Sequence, residues 1–124
     1  MDCLFCKIGN GDIPSNTVYE NEFVRCFLDI NPVHNGHVLI IPKKHFLDNN
    51  DITMEYLEEV FKASKIVMKL LNDKLQPDGI KLVQNNGIIQ EVKHYHLHLI
   101  PIYKEENKYY EKMPLENIYD LLVK

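Results

Sequence analysis

Three of the chain's six histidines, His94, His96 and His98, fall in the five residues "HYHLH". Near neutral pH imidazole can bind a metal, move protons, or attack an electrophile such as phosphorus. On a strand, residues two apart share a face about 6.6 Å from each other. His94, His96 and His98 then form one row, and Tyr95, Leu97 and Leu99 form the other. Three readings fit that row. It is a polar solvent face, or one metal bound by all three rings, or a site in which the rings divide the work. In the metal reading the outer pair lies about 13 Å apart at Cα, so convergence on one ion needs strong bending. In the third reading one imidazole is a nucleophile, and a neighbour hydrogen-bonds phosphoryl oxygens or carries the leaving group's proton.

A second group with chemistry lies at the start. Cys3 and Cys6 form C-x-x-C, which suits a redox pair, two unrelated cysteines, or half of a four-ligand zinc site. The redox reading needs a strand-to-helix setting that this segment lacks. Cys26 alternates with Val24 and Leu28 and is expected in the core. Asp29 closes an apolar run, where a carboxylate needs a partner; a turn cap is its plain alternative. Phe5, Ile8, Phe27 and Ile30 are core residues on pattern alone. His34 sits in a turn and is expected to be exposed.

The elements that would position these groups follow from periodicity. "NTVYENEFVRCFLDI" reads as a hairpin about "ENE", and "HVLIIP" as a short apolar strand. From Thr53 to about Leu75, apolar residues recur every three or four positions, including Met54, Leu57, Val60, Phe61, Ile66 or Val67, and Leu70 or Leu71. This predicts an amphipathic helix capped by Asp51 or Thr53 and ended by "QPDG". "IKLVQNNG" and "HYHLHLIPIY" are further strands, and "PLENIYDLLVK" a short helix. The order predicts an α+β fold with a mainly antiparallel sheet and a helix on one face. With no repeat or linker, residues 1–124 read as one domain.

Bulk properties narrow the class. A net charge of -4 argues against binding nucleic acid, which requires a basic face. It leaves room for one small phosphorylated ligand. No apolar run approaches the roughly 20 residues that span a bilayer, and acidic Asp2 with no long apolar stretch argues against a signal peptide. The expectation is a cytoplasmic protein without membrane association.

"HYHLHLIP" resembles the signature of the histidine triad (HIT) family, His-φ-His-φ-His-φ-φ with φ apolar. "DINPVHNGHVLIIPKKH" is similar to the family's other marked segment, "FCKIGNGDIPS" to its N-terminal stretch, and "VQNNG" to the strand before the triad. These segments cover most of residues 3 to 103 in the family's order, closest to the bacterial-type Hint branch. The resemblance implies a HIT-like fold: a five-stranded, mainly antiparallel sheet, one long helix and a short C-terminal helix. It implies a homodimer that binds purine nucleotides and hydrolyses nucleoside 5′-phosphoramidates or related conjugates at the α-phosphate through a nucleotidyl-histidine intermediate. Dinucleoside polyphosphate hydrolysis and a regulatory nucleotide-binding module with little turnover are the alternatives.

Residue by residue, the resemblance makes His96 the nucleophile, His98 a phosphate ligand, and His37 the residue orienting the nucleophile. It places Phe5, Ile8, Ile13, Phe27 and Ile30 around the nucleoside, with Asp29 on the ribose hydroxyls. Asn85 falls near phosphate and sugar, and Gln90 on the leaving-group side. Glu91 stands where some relatives carry a Ser or Thr able to donate to the leaving group. Cys3, Cys6, His45 and His94 match the ligands of a structural zinc. The stretch "NNGIIQEVKH" is about two residues shorter than the family's glycine-rich loop and lacks its second glycine.

Overall fold

The computed structural model describes residues 3–124. Helix α1 (Leu4–Gly9) precedes the hairpin strands β1 (Thr17–Glu20) and β2 (Val24–Leu28), then β3 (Val38–Pro42). Helix α2 (Met54–Leu75) follows, then β4 (Gly79–Gln84), β5 (Leu97–Ile102) and α3 (Leu115–Val123). The sheet order is β1-β2-β3-β5-β4, and neighbouring strands are antiparallel. The expected α+β architecture, with five strands, one long helix and a short C-terminal helix, is present.

Local chemistry accounts for the boundaries. At the hairpin turn, Asn21 Oδ1 accepts from the backbone N–H groups of Phe23 and Val24 at 2.8 and 3.0 Å, as an Asn-led turn does. Thr53 caps α2, its hydroxyl accepting from Tyr56 N–H at 3.4 Å. The helix ends at Gln76 in the left-handed conformation (φ 49°), just before Pro77, which disfavours continuation.

Each sheet face carries an apolar cluster. One carries the main core, where Val24, Cys26, Leu28, Val38, Ile40, Tyr95, Leu97 and Leu99 meet α2 and α3. Cys26 lies there as expected. The buried stripe of α2 is Val60, Ala63, Ser64, Val67, Leu71 and Leu75. Met54 and Phe61, expected inward, are exposed, and of the alternatives Ile66 and Val67 it is Val67 that is buried. The stripe runs through small Ala63 and Ser64, which a ranking by hydrophobicity overlooks. Ser64 satisfies its hydroxyl on the Phe61 carbonyl at 2.7 Å.

The opposite face carries a smaller cluster of Cys3, Phe5, Ile8, Phe27, Leu39 and Ile41, bordered by Cys6, Ile13 and Val92. Register sets its centre. Phe27 pairs with Leu39 and Leu39 with His98, so these three side chains stand in a row across β2, β3 and β5. The hydrogen-bonded part of β5 starts at Leu97. His94 and His96 therefore precede the regular ladder, although their alternation with Tyr95 and Leu97 persists.

Candidate active site and metal cluster

The triad does not converge on one point. His94 is fully buried, and its Nε2–H donates to the Pro42 carbonyl at 2.8 Å. That bond leaves Nδ1 as the free lone pair, and Nδ1 faces Cys3 Sγ at 3.4 Å, Cys6 Sγ at 3.5 Å and His45 Nδ1 at 3.2 Å. Cys6 Sγ lies 3.3 Å from His45 Nδ1, and all four ligand atoms fall within 4.8 Å of one another. Zinc bonds of about 2.0 Å to nitrogen and 2.3 Å to sulfur in a tetrahedron put neighbouring ligand atoms about 3.3–3.8 Å apart. The cluster has that size, and its His94 ring is already oriented by a carbonyl, as ligating imidazoles usually are.

Protonation fits the same use. Burial, opposed by the Pro42 hydrogen bond, brings His94 down to about 4, so the ring is neutral at pH 7. Burial and the adjacent Cys3 thiol push Cys6 up to about 11; a thiol so placed ionises when a cation binds beside it. Cys3 also begins α1: its Sγ accepts from Cys6 N–H at 3.3 Å. The C-x-x-C therefore sits on a helix start after all, with two imidazoles closing the set.

His96 points the other way. Its Nδ1–H donates to the His94 carbonyl at 2.8 Å, which leaves the Nε2 lone pair for chemistry. His37, expected to orient this ring, instead bonds His98: His37 Nε2 lies 2.9 Å from His98 Nδ1. The role assigned to His37 on the nucleophile falls to the backbone of His94. The direction of the His37–His98 bond follows from a third group. The Val33 N–H donates to His37 Nδ1 at 3.1 Å, so a neutral His37 carries its proton on Nε2 and gives it to His98 Nδ1. His98 is then protonated on Nε2, a donor for an anionic oxygen. Asp29 Oδ2 stands 3.6 Å from His37 Nε2 and steadies that proton. Asp29, His37 and His98 also bring ligand atoms within 4.8 Å, but the proton between the two rings makes them a relay rather than a metal set.

Burial lowers the proton affinity of His37, His96 and His98. His98, next to His96 and His37, is brought to about 4. Asp29 and Glu91 pull His96 back upward. All three rings are neutral at pH 7, as a nucleophile and its hydrogen-bonding neighbours require.

A cavity of about 470 Å³ opens over His96 and His98, within the usual range for small-molecule sites. Of the expected nucleotide residues, Phe5, Ile8, Ile13, Phe27, Asp29, Ile30 and Glu91 line it, together with His96 and His98. Phe5 stands edge-on to Phe27 (5.7 Å between centroids) and to His96 (5.0 Å). Ile30, expected to flank the nucleoside, is 77% exposed and lies at the rim. Asn85 and Gln90 are not in the wall. Gln90 is buried, its side chain donating to the Leu47 carbonyl at 2.6 Å. It clamps the loop in place of facing a leaving group. His34 is half-buried rather than exposed.

The wall also contains Ser15, Asn16, Asn31, Leu39 and Val92, which residue type and spacing did not single out. Val92 had a signal, since it shares the even positions of His94, His96 and His98. The shortened loop resolves into a 3-10 turn at Gly87–Ile89. Gly87 adopts φ 74°, a conformation suited to glycine. Ile88 and Ile89 point outward.

Residues 10–105 match the HIT domain. An uncharacterised HIT-like protein of Methanocaldococcus jannaschii is 42% identical over 118 residues, spanning 94% of this chain and 91% of that protein. An adenosine 5′-monophosphoramidase of Candida albicans is 42% identical over 105 residues, covering 80% and 69% of the two chains. Among solved structures, a zinc-bound histidine triad family protein of Mycobacterium smegmatis superposes with a TM-score of 0.87 at 32% identity, covering 98% of this chain and 91% of that one.

Proposed function

This chain belongs to the histidine triad (HIT) family, and from that premise we propose that it is a hydrolase of nucleoside 5′-phosphoramidates or related nucleotide conjugates. The observation that carries the reading is the pairing of one backbone-fixed imidazole with one imidazole fixed as a donor. His96 has its Nδ1–H on the His94 carbonyl and a bare Nε2, while the Val33–His37–His98 relay leaves His98 Nε2–H as donor. The phosphoramidase activity named for the Candida albicans relative supports the same direction.

The residues suggest the following course. Phe5, Ile8, Ile13, Phe27 and Leu39 enclose a purine by apolar contact, and Asp29 accepts from ribose hydroxyls. His96 Nε2 attacks phosphorus in line with the leaving group, and His98 Nε2–H holds a phosphoryl oxygen as charge builds there. The P–N bond to the amine breaks, and its electron pair goes to the amine nitrogen, which takes a proton from water. Water then attacks the nucleotidyl-His96. A P–O bond forms, the electron pair returns to Nε2, and the proton lost by water balances the one taken by the amine. The chemistry runs on neutral imidazoles, which is the state that burial favours.

The Cys3, Cys6, His45 and His94 cluster is proposed to hold a zinc ion through two sulfurs and two Nδ1 atoms. Zinc there would supply a cross-link tying α1, and with it Phe5 and Ile8, to the segment that bears His96. A homodimer in the cytoplasm remains the expected setting.

The test is turnover of adenosine 5′-phosphoramidate by wild type and His96→Ala, each with and without chelator. His96→Ala is expected to lose about a thousandfold or more in kcat; full activity would remove His96 as nucleophile. Tight nucleotide binding without turnover by wild type would favour a regulatory module. Immediate chelator-sensitive loss with the fold intact would favour a catalytic metal.

A further inference from the structure

Among the described residues, the cavity wall has two carboxylates, Asp29 and Glu91, and no Lys or Arg. That balance is unusual for a site handling phosphate esters, where cations ordinarily spread along the anion. Several nearby cations are engaged elsewhere. Lys43 and Arg25 both pair with Glu20 at 2.8 and 2.9 Å, and Lys93 donates to the Gly87 carbonyl at 2.9 Å. Among the described residues no cation pairs with Glu91. The two carboxylates have different neighbours. The charge of Asp29 acts on His37, His96 and His98, whereas that of Glu91 acts on His96. Glu91 is also exposed, whereas Phe5, Ile8, Phe27 and Leu39 are buried. The buried apolar end takes the base, so the group expelled from phosphorus leaves past the open lip where Glu91 stands.

We infer that Glu91 selects the leaving group, favouring an amine, above all one that bears a cationic substituent, and disfavouring a polyphosphate. The inference rests on the hydrolase reading above and separates its two substrate classes. With a phosphoramidate, the broken P–N bond returns its electron pair to nitrogen, which takes one proton from water and leaves as a neutral amine, so no negative charge builds beside the Glu91 carboxylate and a cationic substituent on the amine is drawn to it. With a dinucleoside polyphosphate, the broken P–O bond leaves its pair on oxygen, and further negative charge develops beside Glu91 with no cation in the wall to receive it. An ionised Glu can only accept hydrogen bonds, so it suits the N–H groups of the amine and opposes a terminal phosphate.

The experiment compares three adenosine 5′ substrates that share the nucleoside and α-phosphate: an N-(2-aminoethyl) phosphoramidate, its uncharged N-propyl counterpart, and diadenosine tetraphosphate. kcat/KM is measured for wild type, Glu91→Gln and Glu91→Lys, and only ratios within one variant are compared, which cancels any loss of folded protein. Wild type is expected to prefer the aminoethyl over the propyl compound, and the propyl over the tetraphosphate. Glu91→Gln should shrink the propyl-to-tetraphosphate ratio about tenfold, and Glu91→Lys further. Raising salt should shrink the wild-type ratio while barely moving that of Glu91→Gln. Equal ratios in all three proteins would overturn the inference alone, provided turnover still needs His96. Absence of phosphoramidate turnover in wild type would overturn the hydrolase reading and this inference with it.

Discussion

Gly36 offers a sharp test of how the fold delivers its histidines. It precedes His37 and has φ 83°, in the left-handed region that side chains resist. A Cβ built there would stand 2.6 Å from Leu75 Cδ1, 3.2 Å from Leu71 Cδ2 and 3.3 Å from Pro101 Cγ. Leu75 Cδ1 is the end of a side chain, but Leu71 and Leu75 are completely buried and have little room to yield. Gly36→Ala should therefore combine left-handed strain of about 1–2 kcal/mol with overpacking of about 1–3 kcal/mol. The expected loss is about 3 kcal/mol, or roughly 10 °C in Tm for a domain of this size. Leu75→Ala alone should cost about 2–5 kcal/mol by opening a cavity. In that background the new methyl finds space, so Gly36→Ala should cost only its backbone strain, leaving a coupling of about 1–2 kcal/mol. Urea titrations of the four proteins at fixed pH measure this directly. A single-mutant loss below about 0.5 kcal/mol, or strict additivity in the double mutant, would refute the steric account.

Other consequences can be checked separately. Asn35 is buried, its Nδ2 donating to the Tyr109 and Glu111 carbonyls and its Oδ1 accepting from Met113 N–H; Asn35→Leu should cost about 2–4 kcal/mol and show faster amide exchange across 109–113. Cys3→Ser should lower the zinc content of freshly purified protein and its Tm, and unchanged values of both would sink the proposed zinc site. His98 is held down to about 4, while an unfolded histidine takes its proton near 6.5. Its stabilising contribution is thus complete above about pH 6.5 and lost as pH falls toward 4; a denaturation series over that window should show a slope that flattens in His98→Asn.

Some parts of this arrangement are legible in the residue pattern. The row of three histidines, the buried Cys26 and the span of α2 follow from periodicity, because burial acts on side chains whose types are written in the sequence. Other parts are not. The partner of His96 Nδ1 is the carbonyl of His94, that of His94 Nε2 is the carbonyl of Pro42, and the tautomer of His37 is set by the N–H of Val33. Every residue carries a backbone carbonyl and nearly every one an N–H, so residue type gives no clue to which one will be used. The same blindness gave His37 the wrong partner and sent Gln90 toward the leaving group, when the Leu47 carbonyl holds it.

The backbone bonds also bring the two halves of the triad together mechanically. His94 faces the cysteine cluster with its ring and holds the His96 ring with its carbonyl. Anything that frees the His94 ring frees the acceptor that fixes the His96 tautomer. Loss of the proposed zinc should therefore act twice, once through α1, whose Phe5 contacts both His94 and His96 (6.0 and 5.0 Å between centroids), and once through that carbonyl. The first effect raises KM and the second lowers kcat. Nitrogen NMR of the His96 ring separates the two, because only the second shifts the proton from Nδ1 toward a mixture of tautomers. If the metal is removed and the Nδ1–H signal stays intact while KM rises, α1 is the sole link between the cluster and the nucleotide pocket.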